Sequence, residues 1–102
     1  MKDPLKMLRQ VQQMQDKMSK VQKELETDTV EASAGGGAVT VVATGTQKVV
    51  SVKIDPEAVS DHEMLQDLVL AAMNEAMEKS KAMAASKMQA VASGLGLPPG
   101  LM

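Results

Sequence analysis

A chain of 102 residues, 44% hydrophobic and 24% charged, is long enough for one small domain and too apolar to be a disordered tail. It has no cysteine, which excludes disulfides and thiolate metal sites and fits a reducing compartment. It also has no Phe, Tyr or Trp, so the core must come from Val, Leu, Ile, Ala and ten Met, and association with a second copy is expected to add the burial that one chain lacks. The net charge of −2 conceals a division: residues 1–23 hold six bases and two acids, 24–59 two bases and six acids, 60–78 five acids and no base, and 79–102 three lysines and no acid. Brought together, the two basic ends make a positive surface backed by an acidic body.

In chain order the first element is a helix. Asp3-Pro4 supplies an N-cap and a proline at the first helical position, and the pattern runs to about Glu26. Met7, Val11, Met14, Met18, Val21 and Leu25 recur at 4-3-4-3 spacing, a stripe that forms a helix seam or a dimer seam. The outward positions read Lys2, Lys6, Arg9, Gln13, Asp16, Lys20 and Lys23, five bases against one acid, a face suited to an anionic partner.

From Thr29 the chain turns β-branched and small. Val30, Ala32 and Ala34 alternate with polar residues, Gly35-Gly36-Gly37 permits a turn, Val39 to Thr44 makes a second strand, and Gly45-Thr46 or Thr46-Gln47 closes a hairpin into Val49 to Ile54. Val50 and Val52, alternating with Ser51 and Lys53, are expected inside. Asp55-Pro56 ends this three-stranded antiparallel meander. Ser60 with Glu63 makes a capping box for a second helix whose apolar face is Leu65, Leu68, Val69, Ala72, Met73, Ala76 and Met77. A break is expected between Ser80 and Ser86, after which the helix continues to Gly94. The expected organisation is one α-β-β-β-α domain over residues 1–93 and a mobile Gly/Pro-rich tail over 94–102.

Catalytic constellations are absent from this pattern. His62, the only histidine, sits in the first turn of a helix with no thiol to partner; Ser60 is explained as a cap; Asp61, Glu63 and Asp67 suit the helix dipole better than a metal; and Gly35 to Gly37 lacks the Lys-Ser/Thr of a phosphate loop. No enzyme activity, cofactor, metal or small-molecule substrate is expected. The longest apolar run, Leu68 to Met73, is too short to span a bilayer, and the start lacks the layout of a signal peptide, so a cytoplasmic protein without a membrane partner is expected.

Taken together, KMLRQVQQMQDKM at Lys6 to Met18, ASAGGG at Ala32 to Gly37, VKIDPE at Val52 to Glu57, DLVLAAMNEAM at Asp67 to Met77 and GLGLPPG at Gly94 to Gly100 resemble the YbaB/EbfC family of bacterial nucleoid-associated proteins. The resemblance implies an α+β fold with a broken last helical region, a tweezer-like homodimer, and binding of double-stranded DNA in the cytoplasm at the nucleoid. In that family the two terminal helical regions are the proposed DNA contacts, corresponding here to Lys2, Lys6, Arg9, Lys17, Lys20, Lys23, Lys79, Lys81 and Lys87. The chain departs from the family pattern where a hairpin turn usually Asn-Gly reads Gly45-Thr46-Gln47, and in a short approach to the second helix. The acids Asp61, Glu63, Asp67, Glu75 and Glu78 must face away from any DNA surface. Low sequence discrimination is expected because Arg9 is the only arginine, and duplex is favoured over single strands because no aromatic side chain can stack on bases. The alternative is a coiled-coil protein-interaction module that does not touch DNA.

Overall fold

The computed structural model describes residues 3–58 and 60–94. The element order is α1 (Pro4–Thr27), β1 (Thr29–Ala34), β2 (Val39–Thr44), β3 (Val49–Ile54) and α2 (His62–Gly94), with the strands in one antiparallel sheet ordered β1-β2-β3. At about 1.5 Å per residue, α1 is roughly 36 Å long and α2 roughly 50 Å. The molecule is accordingly elongated, 70 × 22 × 15 Å. The expected tail falls outside the described residues from 95 onward, and Lys2 does as well.

Local chemistry sets the element ends. Asp3 Oδ1 accepts from Leu5 N at 3.0 Å and Pro4 occupies the first turn, as the sequence pattern foretells. All three glycines of the first turn have positive φ, at 67°, 69° and 100°. The second turn is a four-residue connection, Gly45 to Lys48, rather than a two-residue one. Gln47 there takes the left-handed conformation at φ 64°. At the start of α2 the cap is Asp61, whose Oδ1 accepts from Glu63 N at 2.9 Å; the expected Ser60 box is displaced because a carboxylate one residue nearer reaches the same N–H groups.

α2 lies across one face of the sheet, over β1 and β2. Ala72 and Ala76 meet Ala32, Val39, Val41 and Ala43, all essentially inaccessible, while Leu65, Leu68, Val69, Met73 and Met77 pack around them. The whole apolar face expected of this helix is therefore the one it uses. The expected break is absent and α2 is continuous. Ser80, instead of disrupting the helix, is buried, with its hydroxyl donating to the Thr44 carbonyl at 2.6 Å and accepting from Gln47 N at 3.1 Å. Ala82, Ala84 and Ala85 then carry the helix onward, because alanine has the best intrinsic helix propensity.

β3 corrects a further expectation. Its register pairs Val52 with Val41 and Ile54 with Val39, so these side chains do point to the helix-bearing face. The helix does not cover them, since it sits on the other two strands. Val50, Val52 and Ile54 are 53%, 42% and 44% exposed. A register irregularity at Val42/Ala43 places Val49 opposite Ala43 and leaves Val50 unpaired in the register, as a β-bulge does.

α1 is held at its C-terminal end alone. Val21 and Leu25 are buried, Met14 and Met18 half-buried, and Met7 and Val11 exposed. Leu25 packs where Gly45 presents bare backbone: a Cβ there would lie 2.5 Å from a Leu25 methyl and 3.0 Å from the Met83 methyl. Replacing Ser80 with Ala removes the hydroxyl that ties α2 to the β2–β3 turn, and should lower the stability by about 1–2 kcal/mol. Urea denaturation measures this loss, and an unchanged midpoint would refute the tie.

Candidate nucleic-acid interface

Position along α1 decides which bases are free. Lys6, Arg9, Lys17, Lys20 and Lys23 are all exposed, and among the described residues none of them is ion-paired. At 3.6 residues per turn, Lys6, Arg9, Lys20 and Lys23 fall within a sector of about 100°, over roughly 26 Å of axis, on the side away from Val21 and Leu25. Asp16 is the acid within that row.

The second basic segment is arranged differently. Lys87 leaves its helix to bridge back to the end of α1, pairing with Asp28 and, at 3.5 Å, with Glu24. The hydrogen bond to Asp28 is the main cause that holds this ammonium above the usual lysine pKa, with desolvation opposing and both carboxylates assisting. Lys79 is engaged too: its Nζ donates to the Glu31 carbonyl of β1 at 2.9 Å and pairs with Glu75 at 3.5 Å. Lys81 is exposed and, among the described residues, has no ion pair. No periodicity or charge count could reveal these partners, because each is set by how the helix crosses the sheet.

The two basic segments do meet. α2 runs antiparallel to the C-terminal half of α1, and Lys17, Lys20 and Lys87 line one groove of about 360 Å³ together with Val21, Glu24, Ala90, Val91 and Gly94. The acids at the start of α2 are remote from it. Asp61, Glu63 and Asp67 precede Lys87 by 20 residues or more, at least about 30 Å along the helix, several Debye lengths at physiological salt.

A family model describing the YbaB/EbfC DNA-binding family matches residues 1–95 of this sequence. The chain belongs to that family. Among similar proteins of this family, one from Syntrophobacter fumaroxidans named a nucleoid-associated protein is 52% identical over 100 residues, covering 92% of this chain and 91% of its own. One from Dictyoglomus turgidum with the same name is 46% identical over 103 residues and covers 99% of each chain. The crystal structure of an uncharacterized Helicobacter pylori protein shares the fold, with a TM-score of 0.69 over 80% of this chain and 88% of that one, at 21% identity. The α-β-β-β-α arrangement of this family member is thus seen in a solved structure, and the α+β class inferred from its sequence stands.

The Lys87 pairing has a pH signature. A folded-state pKa raised above the unfolded value stabilises the fold fully below the ordinary lysine range, and that contribution is lost as pH rises through the raised value. In an NMR titration Lys87 should deprotonate above the ordinary lysine range, and Asp28→Asn should bring it back toward that range. A Lys87 titration that Asp28→Asn leaves unchanged would contradict the pairing.

Proposed function

We propose that this protein is a nucleoid-associated, cytoplasmic, homodimeric protein that binds double-stranded DNA with little sequence discrimination through the basic face of α1. The observation that carries this is the row Lys6, Arg9, Lys20 and Lys23, exposed and free of carboxylate partners among the described residues, in a chain of a DNA-binding family. Such a row offers point charges to phosphates, and with one arginine it carries little capacity for base readout. Lys17, at the margin between the row and the groove, joins the same surface, and Lys81 adds a further free charge. Lys79 and Lys87 act chiefly as structural ties, so their part in DNA binding is smaller than charge counting implies.

The uncovered part of the sheet supports the homodimer. Val52 and Ile54 are an open apolar pair on the helix-bearing face, and Leu70, 61% exposed, lies on the helix flank about 180° from Lys79, which reaches to the opposite edge strand, β1. One edge of the sheet is thus occupied by a lysine and the other is apolar and open, the arrangement that directs pairing to β3. A second copy covering β3 gives the small aliphatic core its missing burial.

Changing Lys6, Arg9, Lys20 and Lys23 together to Gln should leave folding nearly intact, since surface changes cost within about 0.5 kcal/mol each. Affinity for unrelated duplexes should fall alike, and the slope of log affinity against log salt should shrink by about 0.9 per lost contact in a fluorescence-anisotropy series. Unchanged affinity and slope would favour the coiled-coil interaction module instead.

Val52→Asp tests the dimer. The variant should sediment as a folded monomer of about half the native mass, with helical circular dichroism retained. A folded dimer would exclude β3 as the contact. Competition with poly-dT should be weak, because without aromatic platforms the roughly 1–3 kcal/mol per base that stacking gives single-strand binders is missing. Efficient displacement of duplex by poly-dT would count against the duplex mode.

A further inference from the structure

The acids at the C-terminal end of α1 carry the wrong sign for their own helix. Glu24, Glu26 and Asp28 stand at the negative end of its dipole, and its last turn holds no base. The missing cation comes from α2, as Lys87. Three residues on one stripe of α2 converge here: the Ser80 hydroxyl bonds the β2–β3 turn, the Met83 methyl lies beside Gly45 of that turn, and Lys87 pairs with Asp28 and Glu24. Asp28 is also the whole connection between α1 and β1, since Thr27 ends the helix and Thr29 begins the strand. Its N–H donates to the Glu24 carbonyl at 2.8 Å, and its carbonyl accepts from Gly45 N at 3.0 Å. The direction of α1 is therefore set at a joint of one residue.

We propose that Lys87 is a positioning residue for DNA binding: by gripping Asp28 and Glu24 it fixes the direction in which α1 carries its basic row, without touching DNA itself. This rests on the reading of that row as the DNA-binding face. Lys6 lies 22 residues before Asp28, about 33 Å along the axis, so a swing of about 10° at the joint moves it about 6 Å. That exceeds the roughly 3.4 Å of duplex axis between successive phosphates of one strand. Val21 and Leu25, the buried side chains of α1, hold the helix down through apolar contact, which has no direction. Lys87 instead makes charge-assisted bonds to two carboxylates on successive turns, and these do have direction. In a homodimer two such rows meet one duplex. The second row engages at a high effective concentration when its direction is fixed and at a lower one when it wanders, while the number of phosphate contacts stays the same.

The acids give the sharpest test. Glu24→Gln with Asp28→Asn removes two negative charges per chain and keeps every base, so charge alone would tighten binding. The brace requires the opposite: affinity for unrelated duplexes should fall about five- to tenfold, with the slope of log affinity against log salt near its native value. Lys87→Met should weaken binding alike and again spare the slope, whereas a lysine on a phosphate would take about 0.9 from it. Exchanging the partners, Lys87→Glu with Asp28→Lys, should restore most of the affinity. With no native cysteine, spin labels at Gln12→Cys and Ser33→Cys, in chains diluted with unlabelled protein, read the direction of α1 against the sheet in the absence of DNA. Their distance distribution should widen about twofold in the carboxylate variant and in Lys87→Met, with helical circular dichroism retained. An unchanged width, unaltered or tighter binding by the carboxylate variant, or a reduced slope in Lys87→Met would each overturn the positioning role. A native protein that binds no duplex would overturn the DNA reading instead, and the label distances would still decide whether Lys87 fixes α1.

Discussion

The close approach of α2 to the sheet is the constraint from which the rest of the molecule follows. Without aromatic side chains, the core reaches interior density by bringing backbones together, and Ala72, Ala76 and Ser80, spaced four residues apart, form the row that permits it. Val39, Val41 and Ala43 answer from the central strand. So narrow a row covers two strands and not a third. From this comes the exposure of Val50, Val52 and Ile54 on β3. The buried Ser80 hydroxyl belongs to the same device: a small side chain allows the approach, and its two hydrogen bonds satisfy the polar groups of the turn that the approach buries.

What could be read before the fold was known was whatever depends on period and local chemistry. Asp3-Pro4 begins α1, the three glycines turn, the strands fall where β-branched residues alternate, and Leu65, Leu68, Ala72 and Ala76 face the core, all because short-range rules decide these features. What escaped depends on where an element ends up. Val52 alternates as an interior residue should and does face the helix side, yet whether that side is covered is a matter of helix placement. Likewise Lys87 sits in a basic run on paper, while in space Asp28 and Glu24 stand next to it. The serines flanking Ala84 resembled a helix break because serine is usually a helix-end residue; burial of Ser80 reversed that preference.

Charge is separated by length more than by face. An elongated molecule can carry acids at the start of α2 and bases on the free stretch of α1 without the two fields cancelling, because they lie several screening lengths apart. A compact globule of the same composition would present a mixed and weakly acidic surface. The net charge of −2 is thus a poor guide to this protein's partner, and the elongated outline of the fold is a better one.

The same length creates a mechanical problem for α1. Its C-terminal end is gripped by Leu25 against Gly45, by the Lys87 bridge and by Val21, whereas Leu5, Met7, Leu8 and Val11 in its first turns are more than half exposed among the described residues. An isolated helix of that size is marginal in water, and the Asp3 cap alone adds only about 1 kcal/mol. A row of bases on a fraying helix would lose part of its electrostatic gain to ordering the arm, whereas a row on an arm already held straight presents its charges at fixed spacing. The apolar stripe that runs the length of α1 therefore serves two ends of one design. Its buried half fastens the helix to the fold, and its open half is where anything that stiffens the arm must act.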